Sequence, residues 1–223
     1  MSNDYPTFFV AQLPATLDSG GYRDRSAALI ARHGGTLRAS QPHASVECLE
    51  PGTPAAALVI AEFDGAGGPR ALWDDPEHRT LLAALDGGDE ALFVGVAGLP
   101  YAGLPDLPEI PTTASVTPPA GDGPRAYMLI QGHGSDQSRM DEYRDVILPM
   151  LKELGAYYTV FDIEGNVDVL AGPWTEQIFA ISRWPDHAAG HAFWDSDRYQ
   201  NTAIPIRTGA GRFTVHFCEG SSG

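Results

Sequence analysis

The tripeptide Tyr-Arg-Asp occurs at 22–24 and again at 143–145 of this 223-residue chain, and the spacing of 121 recurs. It carries Gly34 onto Gly155, Phe63 onto Trp184, Trp73-Asp74 onto Trp194-Asp195 and Val94 onto Val215. Without gaps, residues 22–96 match 143–217 at 12 of 75 positions, with the matches at turns, caps and aromatic anchors and no drift in register. The first strand alone needs an indel, of two residues, which aligns Gln12 with Gln131. This pattern marks an internal duplication, one supersecondary unit used twice. Between the copies, residues 99–124 hold seven of the chain's 18 prolines. They read as an extended linker, incompatible with a helix or a central strand. The expected organisation is a first repeat over 1–98, a linker over 99–124 and a second repeat over 125–220.

Each copy reads strand, helix, strand, strand, helix, strand. In the second, "AYMLIQGH" alternates and is rich in β-formers, and "SRMDEYRDVILPMLKELG" has helical periodicity ending on Gly155. Pro149 lies inside that helix and is expected to kink or loosen it. "YYTVFDIEGNVDVLAG" reads as strands around a turn, "EQIFAISRW" as a strand, "PDHAAGHAFW" as a helix and "GRFTVHF" as the last strand. Asp75 and Ser196, at matching positions, are good helix N-caps. The fold class is therefore α+β, with two ferredoxin-like (β-α-β-β-α-β) repeats. Helices cover one face of each sheet and leave the other bare. The two sheets are expected to pack face to face, as a monomeric pseudo-dimer or in a homodimer.

A formal charge of −15 argues against a nucleic-acid or anionic-membrane partner. No apolar run approaches the ~20 residues of a membrane span, and the first residues lack a basic, apolar leader. Cys48 and Cys218 form no CxxC or regular framework and read as small buried or half-buried thiols in a reducing, cytoplasmic setting.

Residues 142–210 carry a family likeness. The Tyr143-Arg144 pair, the Gly155-Ala156 step into a strand, "VLAGPW" at 169–174, and Trp194, Ser196, Tyr199 and Arg207 resemble the DUF1330 family of the dimeric α+β barrel superfamily. The likeness covers about 125–220. The first copy departs from it, with Asp75, His78 and Asp86 at the positions of Ser196, Tyr199 and Arg207. The resemblance implies a fold more than a function. Superfamily members include cofactor-free monooxygenases, polyketide cyclases, lactone isomerases, haem proteins and modules without known chemistry.

His187 and His191, four apart, would share one helix face. They lack the glutamate of an HExxH site, and no third ligand stands nearby in sequence, so they read as a solvated helix face and no metal site is expected. No phosphate-binding or dinucleotide fingerprint appears, and no cofactor is expected. Strand parity places His216 and Thr214 on one face of the last strand, opposite Phe213, Val215 and Phe217. By the same parity Tyr127, Gln131 and His133 share a face, and Arg183 lies with Phe179 and Ile181. The space between the sheets is thus expected to hold a site with His216 and His133 as acid–base groups. Gln131, Thr214, Tyr127 and Arg183 would contact substrate. The matching positions Phe93 and Gly95 would make the first copy mostly wall.

These residues point to a small-molecule enzyme of metal-free acid–base chemistry, of cyclase, isomerase or dehydratase type, acting on a hydrophobic, aromatic or polyketide-like metabolite. A cofactor-independent monooxygenase is a close variant. A non-catalytic barrel that binds a metabolite or partner is the alternative from another class.

Overall fold

The structure is a computed structural model that describes residues 5–85, 88–117 and 124–221. Asp86 and residues 118–123 of the proline-rich segment lie outside the described residues. The first repeat contains β1 (Pro6–Pro14), α1 (Gly20–Arg32), β2 (Gly35–Gln41), β3 (Val46–Cys48), β4 (Ala56–Asp64), α2 (Gly68–Asp74), α3 (Pro76–Ala83) and β5 (Leu92–Ala97). The second contains β6 (Ala126–Gly134), α4 (Gln137–Glu153), β7 (Tyr157–Asp162), β8 (Asp168–Ala171), β9 (Ile178–Trp184), α5 (His187–Trp194), α6 (Ile204–Arg207) and β10 (Gly211–Glu219).

Local chemistry sets the element ends. The Asp75 carboxylate accepts from the Glu77 amide at the start of α3, ahead of Pro76. Asp136 and Asp186 cap α4 and α5 in the same way. Ser196 Oγ accepts from the Tyr199 amide at 3.1 Å. Such caps satisfy amides that have no partner within the helix. Gly34 and Gly155 close α1 and α4 with φ of 76° and 71°, so the duplicated glycine answers a duplicated backbone demand. α4 runs through Pro149 without interruption.

Two antiparallel five-stranded sheets form, ordered β2-β4-β1-β5-β8 and β3-β10-β6-β9-β7. Each sheet takes its edge strand from the other repeat. β3 of the first repeat pairs with β10, and β8 of the second pairs with β5. The sheets pack face to face. Their inner faces form one apolar core containing Phe8, Val10, Ile60, Leu129, Phe179 and Ile181, while two further cores lie between each sheet and its own helices. The segment after β5 forms no helix or strand over 99–117. It lies along β7, where Leu99 N donates to Thr159 O and Tyr158 N to Pro111 O, and it buries Ile110.

One correction concerns the repeat register. The offset of 121 holds through β4 and β9, where Val10 faces Ile60 and Leu129 faces Ile181. In the last strands it becomes 122, because Gln12 faces Leu92 while Gln131 faces Thr214. The extra residue falls after Tyr199, in the stretch containing a π-helical turn over Tyr199–Ala203. Such a turn absorbs one residue within a helix. Since strand side chains alternate, Phe93 and Gly95 face the helices and are not the counterparts of Thr214 and His216.

Gly190 lets α5 lie directly on β10. A Cβ there would come within 2.1 Å of the Phe217 ring. Gly190→Ala should therefore destabilise by about 1–3 kcal/mol, although alanine favours helix. Urea unfolding of the variant measures this, and unchanged stability would mean that α5 can lift without cost.

Candidate functional site

A partly open cavity lies on the helix side of the second sheet. It has a volume of about 140 Å³ and is walled by β6, β9 and β10 below and α4, α5 and the π turn above. Met128, Ile147, Leu151, Ala180, Trp184 and Phe193 supply apolar surface. Every residue lining it belongs to the second repeat.

Its polar wall is a linked cluster. The Tyr143 and Tyr199 hydroxyls are 3.1 Å apart. The Arg207 guanidinium stands 4.8 Å over the Phe213 ring and 5.7 Å from that of Tyr143. Its other partner is the Glu50 carboxylate, to which Arg207 Nη2 donates. Burial pushes the phenols of Tyr143 and Tyr199 above their ordinary value, so both stay protonated and can donate near neutral pH. Burial opposes the charge of Arg207, and Tyr143, Tyr199 and Glu50 together more than offset it. Among the lining residues there is no carboxylate and no imidazole.

Glu50 reaches this cluster on an arm from the first repeat. Over residues 46–54 the arm follows the edge of β10. β3 pairs there, Leu49 N donates to Val215 O, and Val215 N donates to Thr53 Oγ1. The first repeat therefore completes the electrostatics of a cavity that it does not line. Its own counterpart space is filled: Phe9, Tyr22, Trp73, His78 and Phe93 pack ring against ring, and Tyr22 Oη meets His78 Nε2 at 2.9 Å.

The residues singled out by strand parity do face the other sheet, yet the structure spreads them along it and none lines this helix-side cavity. His216 is 0% exposed, its Nε2 donates to Pro54 O at 2.8 Å, and Gln12 Nε2 approaches Nδ1 at 3.5 Å. Burial lowers its pKa, so it is a neutral imidazole that ties the arm to β10. Gln131 and Thr214, 3.5 Å apart, line an open groove with Gln12, Trp174 and Glu176. His133 is exposed at the end of β6, paired across the strands with Arg212. At the opposite end Arg183 lies 5.8 Å from the Tyr127 ring and donates to Tyr157 Oη. Tyr127 is buried and its phenol is pushed up to about 12 by burial. Around His216 the inter-sheet space is filled, because β1, β4 and β5 bring apolar side chains on both faces, and it opens only as the groove between Gln12 of one sheet and Gln131 and Thr214 of the other. The signal that does find the cavity is the family motif, since Tyr143, Arg144, Trp194, Tyr199 and Arg207 all line it.

Two smaller expectations also change. Cys218 is buried and its thiol is pushed up to about 12, but Cys48 is exposed. The histidine pair does have a third neighbour: Glu47, remote in sequence, lies 2.6 Å from His187 Nε2 and 3.1 Å from His191 Nε2. No helix among the described residues is long and apolar enough to cross a membrane.

Among solved structures of similar architecture is an anthrone oxidase-like protein, at 10% identity and a TM-score of 0.49, with 99% of this chain and 94% of that one covered. Another is a substituted chlorite dismutase from Candidatus Nitrospira defluvii, at 15% identity and a TM-score of 0.48, covering 99% and 92%. No curated protein matches the sequence. A family model described as a domain of unknown function, DUF1330, matches residues 125–221. Two ferredoxin-like repeats pack sheet to sheet within one chain, and the second of them, residues 125–221, is the part that matches the DUF1330 family model.

Proposed function

We propose that this protein is a small-molecule enzyme whose working site is the second-repeat cavity. The substrate class is a mainly apolar, one-ring metabolite carrying an enolisable carbonyl or a phenolic oxygen. A cavity of about 140 Å³ is close to the ~150 Å³ that accommodates benzene in an apolar protein interior. The observation that carries the reading is the linked Tyr143–Tyr199–Arg207 cluster in a mostly apolar wall, whose other polar residues are Gln137, Arg144, Gln177 and Ser182. Two neutral phenols and a guanidinium suit an oxygen that gains negative charge as a proton leaves the neighbouring carbon. Isomerisation or cyclisation through an enolate fits that arrangement and needs no metal or redox step. The missing carboxylate and imidazole leave solvent to take the proton, and this same feature favours the second reading, a binding module without catalysis.

Benzoylacetone, an aryl β-diketone whose enol absorbs strongly, serves as a probe. The wild type should accelerate its keto–enol exchange. Tyr199→Phe and Arg207→Met should each reduce that acceleration by about 10²-fold, the usual worth of one oxyanion donor. Binding is followed separately through the fluorescence of Trp184 and Trp194, which line the cavity. Quenching without acceleration would replace the enzyme reading by the binding one. Absence of both would sink the assignment of this cavity.

A further inference from the structure

We infer that Glu47, His187 and His191 form a binding site for one divalent transition-metal ion, such as Zn²⁺, at the seam between the two repeats. The three side chains offer one ligand atom each, all within 4.8 Å of one another. The donor set, two imidazoles and one carboxylate, is one that zinc takes when its fourth position is left to water. Glu47 is already 2.6 Å from His187 Nε2 and 3.1 Å from His191 Nε2. Tetrahedral bonds of about 2.0–2.1 Å separate ligand atoms by roughly 3.3 Å, so Glu47 must draw back slightly from the histidines while the most widely spaced ligand atoms, within 4.8 Å, close in.

The support around the ligands matches what a metal site requires. His187 stacks on Phe217 at 4.7 Å with planes 12° apart, and His191 meets the same ring edge-on at 5.6 Å. Gly190 permits that close seat. His191 Nδ1 faces Asp195 at 3.1 Å, which orients the ring and leaves Nε2 toward the cluster. All three ligands are 33–40% exposed, so an ion can reach them from solvent.

The pseudo-symmetric position shows what simple stapling looks like. The 121 offset places Asp168 at Glu47, Arg70 at His191 and Ala66 at His187. There Arg70 and Asp168 form an ordinary ion pair at 2.6 Å, which joins the same two elements with no ligating nitrogen. On the other side a neutral alanine gives way to a second histidine aimed at the same carboxylate. One cation suffices to hold a carboxylate, whereas two converging imidazoles make a chelate.

The test uses the full chain, purified without a histidine tag and stripped with EDTA. Calorimetric titration with ZnCl₂ at pH 7.5 should give one ion per chain, and Zn²⁺ should raise the unfolding midpoint. His187→Ala, His191→Ala and Glu47→Gln each remove a ligand and should weaken binding by more than the about 10–100-fold that loss of an outer-shell partner costs, and abolish the shift. The substituted side chains are partly exposed, and circular dichroism checks that each variant folds. Absence of stoichiometric Zn²⁺ binding in the wild type would overturn the inference. So would an affinity that survives in the double variant His187→Ala/His191→Ala. A wild type that the cluster stabilises equally with and without Zn²⁺ would mark it as a staple and nothing more.

Discussion

Expressed alone, residues 125–221 should dimerise or aggregate rather than yield a folded monomer. Separation from the first repeat uncovers the inner face of the second sheet. Tyr127, Leu129, Val160, Phe179, Ile181 and Cys218 stand there, each at most 3% exposed in the full chain. At about 1.5–3 kcal/mol per large apolar side chain, that face represents on the order of 10 kcal/mol, comparable to the entire stability of a domain. The fragment also loses β3, leaving an edge of β10 unpaired and open to association. Glu50 goes with it, so Arg207 would sit in the cavity wall without its carboxylate. Light scattering after gel filtration measures the outcome. A monodisperse monomer with cooperative unfolding would show that the two sheets do not depend on each other. A well-folded dimer would support the sheet-to-sheet pairing directly, with a second copy standing in for the first repeat.

Acidification should destabilise the first repeat through His78. This imidazole is 0% exposed, and burial lowers its pKa from 6.5 to about 4. The unfolded chain therefore binds a proton in the window between these values while the folded chain does not. Stability must then fall as pH drops from about 6.5 toward 4. At 1.36 kcal/mol per unit, the loss reaches about 3 kcal/mol near pH 4. His216, lowered by burial as well, adds in the same direction. His191 acts oppositely: burial lowers its pKa, but hydrogen bonds to Glu47 and Asp195 raise it further, which adds stability on the acid side. Urea midpoints at pH 7 and pH 4.5 for the wild type and His78→Gln isolate the effect. The variant should lose most of the difference between the two pH values. An undiminished pH dependence would remove His78 as its source.

Much of the architecture was legible because it depends on period and repetition. Alternation in "YMLIQGH" and "FTVHF" assigned the correct face to Tyr127, Gln131, Thr214 and His216, since side chains on a strand have a fixed parity. The caps at Asp75 and Ser196 and the paired Gly34 and Gly155 were visible because they answer local backbone demands. What alternation could not tell was whether an inward face borders a cavity or a wall. That depends on the opposing sheet, and β1 and β4 are apolar on both faces, so they close the space above His216.

The sequence by itself determined the duplication, the α+β class, the pairing of two sheets and the motif residues Tyr143, Trp194, Tyr199 and Arg207. All are carried by repetition, periodicity or family likeness within one segment. Only the tertiary structure decided where the open volume lies and which distant residues meet there. The exchange of β3 and β8 between repeats brings Glu50 to Arg207 and Glu47 to His187 and His191, over separations of 157, 140 and 144 residues. The one-residue shift before β10 likewise turned Gly95 and His216 to opposite faces. Contacts of this kind follow from the order in which strands join a sheet, and strand order is set by burial of whole faces, which no local pattern encodes.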